Sequence, residues 1–309
     1  MRHPIILTGI LFLIFVSCSK HPSDSTTRGG LMLTGIKSSK GSEIVSINLD
    51  SGLVNTTPIN CYVVGSTVYD PKTGGYGYVD CDTVFRLTYP KTGDIIKSFK
   101  LPGHVSQAVI DSENNLLVGR YGLYTYIDDP DSSNNANLQV FHNYILRASL
   151  ESGEVLTNVE LDLGDGVYVC SHFYDPVENL YVMERADNKL IFINPSTGSI
   201  VKTVNIGKPL NNLVYNPAGK TIIALTYNPE TGANYIEVYD PGTGEQISNK
   251  QVNDLGYYQV CIAGYDEETN CYITVSADDE VVFINVSSGE VKKTYKLDYH
   301  LSDVKFLRR

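Results

Sequence analysis

The chain has 309 residues, 42% of them hydrophobic and 19% charged, with a formal net charge of −11. That balance describes a folded protein and excludes wholesale disorder. An acidic chain with no basic stripe repels phosphate backbones, which excludes nucleic acid as a partner.

The first element, residues 1–17, opens Met1-Arg2-His3 and continues as an apolar run from Ile5 to Val16. A basic start, about a dozen apolar residues and a small residue before the cut describe a secretory signal peptide. The run is too short to cross a bilayer as a mature helix. Phe15-Val16-Ser17-Cys18 resembles a bacterial lipobox, most closely the relaxed form of Bacteroidetes lipoproteins, with Phe15 where the common pattern has Leu. The resemblance implies that Cys18 is lipidated and becomes the mature N-terminus. It also implies a membrane attachment through that lipid and a place in the cell envelope, on the periplasmic or surface side of the outer membrane. An ordinary cleaved signal with an incidental cysteine is the alternative. Residues 18–30 are polar and aperiodic and read as a flexible tether, leaving 31–309 as the folded domain.

Within 31–309 one stretch sets the pattern. Asn188 to Gly207 is an apolar strand, a tight turn at Pro195-Ser196-Thr197-Gly198 and a second alternating strand. The turn returns at Ser51-Gly52, Thr92-Gly93, Ser152-Gly153, Thr243-Gly244 and Ser288-Gly289. Glycine stands there because the turn needs a positive φ. A period of about 40–50 residues built from short strands is a propeller signature. Tyrosine is abundant (22) and tryptophan absent, and Tyr, Val and Ile together favour strands.

Each repeat follows one grammar. A first strand closes on an aromatic residue and Asp or Asn, as in Tyr69-Asp70-Pro71, Tyr174-Asp175-Pro176, Tyr215-Asn216-Pro217 and Tyr265-Asp266. Asp or Asn before Pro starts a turn. Second and third strands follow, joined by a variable loop, and the Ser/Thr-Gly turn leads into the fourth. Blades two to six fall at about 62–101, 104–161, 167–206, 209–252 and 257–297. The first blade has three strands of its own, and Ser302 to Leu307 supplies its missing inner strand, which removes an exposed edge. The expected fold is all-β, a six-bladed β-propeller closed by pairing of the C-terminal strand with the N-terminal blade. A seventh blade would need a repeat that the sequence lacks.

This strand–Asp-Pro–turn–Thr-Gly–strand grammar resembles the YVTN and quinoprotein-like superfamily of propellers over residues 31–309. The resemblance implies the fold and leaves the activity open among lipoproteins, dehydrogenases and lyases. Quinone-binding members stack tryptophans between blades; with none here, no cofactor is expected.

The connections sort into two faces. Turns after the first and third strands are short and stereotyped. Loops after the second strand and between blades lie on the other face and vary, and variable loops on a rigid scaffold are where binding resides. Between Arg120-Tyr121 and Asn143-Tyr144 runs an insertion of about twenty residues carrying Tyr124, Tyr126, Asp128, Asp129, Asp131, Phe141 and His142; it reads either as a lid over the central opening or as a surface excursion. The inner-strand starts carry Tyr62, His104, Tyr168, Tyr258, Tyr299 and His300 on that same face. With Tyr124 and Tyr126 these form the candidate ligand-binding set, since Tyr and His offer stacking faces and hydrogen bonds to a small ligand. The alternative is that these tyrosines fill inter-blade space.

His104, His172 and His300 lie on three inner strands, and a lyase or hydrolase would need them to converge on the axis. No His-rich metal spacing is present and no metal is expected. The acidic loop tips Asp80/Asp82, Asp128/Asp129/Asp131 and Asp278/Asp279 offer oxygen ligands to calcium without matching a known loop. Cys61, Cys81, Cys170, Cys261 and Cys271 are odd in number, and Cys261 and Cys271 would be out of bridge range if Tyr265 faced Cys271. Two readings follow: a non-catalytic module binding a small ligand or a partner protein through the variable face, or a propeller enzyme with a histidine-based site.

Overall fold

A computed structural model describes residues 30–39, 41–59, 61, 63, 67–127, 138–163, 168–210, 212–253 and 255–308. Residues 1–29, with Cys18, the expected signal segment and all but the last residue of the expected tether, lie outside the described residues. The described chain is built from strands alone, in six antiparallel sheets of four.

Blade one contains β1 (Leu31–Ser39), β2 (Gly41–Asn48) and β3 (Val54–Ile59). Blade two is β4 (Val68–Asp70), β5 (Gly75–Val79), β6 (Val84–Thr88) and β7 (Ile95–Lys100). Blade three is β8 (Gln107–Asp111), β9 (Leu116–Ile127), β10 (Leu138–Ser149) and β11 (Val155–Leu161). Blade four is β12 (Tyr168–Asp175), β13 (Leu180–Arg185), β14 (Lys189–Ile193) and β15 (Ile200–Asn205). Blade five is β16 (Leu213–Asn216), β17 (Thr221–Asn228), β18 (Ala233–Tyr239) and β19 (Gln246–Val252). Blade six is β20 (Tyr258–Asp266), β21 (Cys271–Ser276), β22 (Glu280–Asn285) and β23 (Val291–Lys296). The last strand, β24 (Ser302–Arg308), returns to blade one and pairs with β1, Phe306 opposite Leu33 and Lys305 opposite Thr34.

The inner strands β24, β4, β8, β12, β16 and β20 each touch the next, and β20 touches β24, so the ring is closed. Apolar residues from each pair of adjacent blades form one core, giving six inter-blade cores among the described residues. A radial sheet flanked on both faces explains the burial. The middle strands β13 and β21 are apolar and buried almost throughout, while the outermost β7 and β15 bury few residues. Continuous apolar runs are expected where both faces are covered.

The repeated turn has one geometry in all six blades. Gly52, Gly93, Gly153, Gly198, Gly244 and Gly289 have φ between 72° and 77°. The amide of each bonds back to the carbonyl four residues earlier, as Gly198 to Asn194 at 2.8 Å and Gly289 to Asn285 at 2.8 Å. Asn or Asp at that earlier position also accepts the turn amides, as Asp240 does from Gly242 and Thr243, an Asx turn.

Two details differ from the sequence reading. The long insertion of blade three is not a loop at its flanks: β9 and β10 pair from Leu116↔Ser149 out to Ile127↔Leu138, so the hairpin continues as a two-stranded ribbon. Only 128–137, with Asp128, Asp129 and Asp131, lie outside the described residues. In blade six Tyr265 faces Tyr272 and Asp266 faces Cys271, one residue off the register considered from sequence.

Candidate functional site

The inner strands enclose an axial cavity of about 510 Å³. Its wall is built from the inner strands and the residues beside them, including Thr67, Ala108, Ser171, His172, Leu213, Ala263 and Lys305. It extends to Ser112, Glu113, Pro176 and Pro217, which lie in turns between first and second strands. The cavity therefore reaches the face with short, stereotyped turns, opposite the variable loops.

The closing aromatics of the repeat shape this mouth. Tyr69, Tyr174, Tyr215 and Tyr265 all line it. Tyr215 stacks on Phe173 with ring centroids 4.7 Å apart and donates to Asp175 Oδ2 at 3.1 Å. Burial, with Asp175 beside it, pushes the Tyr215 phenol up to about 12. Tyr174 Oη lies 2.9 Å from Asp111 Oδ2 and 2.6 Å from Asn179 Oδ1, and burial raises its pKa as well. Ser112 donates to Asp70 at 3.1 Å. Asp70, Asp111 and Asp175 thus each accept a bond from the blade that follows, which locks neighbouring turns together.

Two polar groups in the wall are not engaged in this way. Ser171 is 5% exposed and its Oγ has no hydrogen-bond partner. Lys305 is half-buried, and burial lowers its pKa while Asp303 opposes the shift.

The residues singled out by sequence fall elsewhere. His104 is exposed ahead of β8, and His300 is exposed ahead of β24 with Nδ1 2.8 Å from Asp279 Oδ1. Gln259 Nε2 lies 3.2 Å from the same carboxylate oxygen. Tyr299 is half-buried under Lys37, whose Nζ sits 4.9 Å from the ring centroid. Tyr258 donates to the Leu225 carbonyl at 3.2 Å, and burial pushes it up to about 12. Tyr62 lies outside the described residues; Tyr124 and Tyr126 lie on the β9 ribbon, and Tyr168 starts β12.

Of the three histidines only His172 lines the axial cavity. Its Nε2 is 3.2 Å from the Ala108 carbonyl, and its ring stacks on Tyr181 at 6.1 Å. The structure brings His300 to Asp279 and Gln259 on one rim and leaves His172 inside. Among the described residues no group of three His, Cys, Asp or Glu side chains is arranged to hold a metal. Asp80 is occupied by Arg86, which donates to Oδ2 from both Nε and Nη2, and by the amides of Asp82 and Val84. Cys61, Cys81 and Cys271 are free thiols.

The class defined by this architecture is a six-bladed β-propeller. No family model matches the chain, and no curated protein sequence matches it. Solved structures similar to it are propellers. The WD40 domain of Toxoplasma gondii coronin is 11% identical with a TM-score of 0.52, over 88% of this chain and 72% of that one. The WD40 β-propeller domain of Doa1 is 12% identical with a TM-score of 0.52, over 88% and 81%. BamB from Moraxella catarrhalis is 13% identical with a TM-score of 0.41, over 84% and 71%. At such identities the likeness concerns the fold.

Proposed function

We propose that this propeller is a lipid-anchored, extracytoplasmic binding module that engages a partner protein through its variable-loop face. The observation that carries the reading is the β9–β10 ribbon. Its strands run for 12 residues each, where β13 and β21 have 6. Leu123 on the ribbon is 41% exposed. On the same face Tyr227 and Tyr257 are 44% and 76% exposed with rings 6.1 Å apart. Exposed aromatic and aliphatic side chains on a rigid frame are the material of interaction surfaces. The lipobox-like Phe15-Val16-Ser17-Cys18 would tether the domain to a membrane, and the turn grammar fits a YVTN-like envelope protein.

The test compares the full chain with Cys18→Ser and with a variant whose residues 125–139 are replaced by a two-residue turn. Cys18→Ser is expected to leave the membrane fraction. The shortened ribbon is expected to keep the wild-type thermal transition and lose the cross-linked partner bands seen with wild type. Membrane retention of Cys18→Ser removes the anchor, and an unchanged cross-linking pattern removes the ribbon from the interface.

A further inference from the structure

The inner strands carry one departure from their own repeat. The residue preceding the closing position, which is aromatic except for Ile110 in blade three, is Val68, Val109, Phe173, Val214 and Gly264 in blades two to six, paired with Gly77, Val118, Val182, Ile223 and Ile273. In blade one the same place holds Lys305, paired with Thr34. A lysine set among apolar equivalents loses hydration without a structural return, and such local violations mark functional positions.

Lys305 lines the axial cavity and makes no hydrogen bond or ion pair with any described residue. It is the one cation among the described lining residues. The second observation is independent: the Ser171 hydroxyl, on the inner strand of the diametrically opposite blade, is buried and unpartnered in the same wall. Between them lie the Phe173–Tyr215 stack and apolar walls from Leu213 and Ala263. A volume of about 510 Å³ falls in the range of small-molecule sites, which are apolar with a few convergent polar groups.

We propose that the axial cavity binds a small organic monocarboxylate, whose carboxylate pairs with Lys305, whose body lies against Phe173 and Tyr215, and whose polar end meets Ser171. Asp111 and Glu113 line the same cavity and Asp303 is the acidic neighbour of Lys305, so the acidic surroundings favour a single negative charge over a phosphate dianion. This site lies on the face away from the ribbon, and its failure would leave the partner-binding reading intact.

Calorimetric titration of the purified full chain with benzoate and hexanoate, against benzamide, hexanamide and inorganic phosphate, tests it. The carboxylates are expected to bind roughly ten- to a hundredfold more tightly than their amides. Lys305→Met is expected to keep the thermal transition, because it restores an apolar residue, and to reduce carboxylate binding to the amide level. Ser171→Ala is expected to weaken binding about threefold or more. Should Lys305→Met fail to fold, Lys305→Arg keeps the charge and retains the preference for carboxylate over amide. Amides binding as tightly as acids, phosphate binding more tightly than either acid, or no binding by wild type to either carboxylate overturns the proposal.

Discussion

The Tyr76 hydroxyl donates to the Asp303 carbonyl at 2.9 Å across 227 residues of sequence. It ties blade two to the strand that closes blade one, and Thr67 Oγ1 reaches the same carbonyl at 2.8 Å. The arrangement recurs at alternate interfaces: Tyr181 donates to the Gln107 carbonyl at 3.0 Å and Tyr272 to the Asn212 carbonyl at 2.6 Å. Opposite each closing residue the second strands carry Leu33, Tyr76, Leu117, Tyr181, Ile222 and Tyr272 in turn. Aliphatic and phenolic positions alternate around the ring, and all six are fully buried. Carbonyls at the inner edge need donors once buried, and a phenol supplies one without leaving the apolar core.

Tyr76→Phe and Tyr272→Phe each keep the ring volume and remove one donor. Each is expected to lower unfolding free energy in urea by about 1–2 kcal/mol, the usual cost of leaving a buried acceptor short of a bond. A truncation after Leu301 deletes β24, uncovering Leu33 and the Gly264 recess that holds Phe306, where a Cβ would lie 2.6 Å from that ring. It is expected to abolish cooperative unfolding, and a wild-type transition in that variant would show that β24 does not close the ring.

Gly244 and Gly232 isolate the effect of crowding at equal backbone strain. Both have positive φ, +77° and +70°. A Cβ at Gly244 would sit 2.2 Å from the Asn205 carbonyl oxygen of the preceding blade, while at Gly232 nothing lies within 4 Å. Gly232→Ala is expected to cost about 1–2 kcal/mol from the left-handed conformation alone. Gly244→Ala should cost more, and equal losses in thermal denaturation would show that the turn does not pack on its neighbour.

The tyrosines set an alkaline limit. Burial pushes Tyr215 and Tyr258 up to about 12, and raises Tyr76, Tyr181 and Tyr272 as well. Their ordinary value in an unfolded chain is about 10. A phenol whose folded pKa is raised holds its proton more tightly when folded, so its contribution is full below about pH 10 and is lost as pH climbs towards 12. Unfolding is expected to be cooperative in that window. Tyrosinate absorbance near 295 nm, undisturbed by tryptophan because the chain has none, should show, after the exposed tyrosines such as Tyr257, a late component that rises in step with loss of strand circular dichroism. Ionisation of every tyrosine before unfolding, with no late component, would contradict the burial of these hydroxyls.

Thiol reactivity should follow exposure. Cys81 is exposed, Cys61 half-buried and Cys271 buried, and burial raises the Cys61 pKa, which depletes its thiolate. Iodoacetamide on the native protein, mapped by peptide mass, is expected to label Cys81 first, Cys61 slowly and Cys271 only after unfolding. Early labelling of Cys271 would mean that the cleft between blades six and one opens readily.

The ring of six was legible because its signals are local. Each Ser/Thr-Gly pair demands a positive φ at one residue, and each Tyr-Asp-Pro demands a turn, so strand order follows from reading along the chain. Val304 and Phe306, with the spacing of an inner strand but no blade of their own, announced the closure. The blade-three insertion does not read as strand at its flanks because Leu123 to Ile127 and Leu138 to Phe141 pair only with each other, and the Asp- and Asn-rich stretch between them conceals the continuity of the ladder.

The cavity was not legible in the same way. In the sequence the starts of the inner strands, at His104, Tyr258, Tyr299 and His300, stand out because the loops beside them vary. The space lies along the inner strands and opens at their closing ends, where Tyr69, Tyr174, Tyr215 and Tyr265 carry only a turn signal in the sequence. Sequence by itself determined the number of blades, their turns and the strand that seals them, since period and φ preference act over a few residues. Only the tertiary structure decided which mouth of the ring is hollow and that Lys305 and Ser171 share it. Six segments drawn from the whole length of the chain meet at one axis, and which of their side chains find partners there depends on packing between blades.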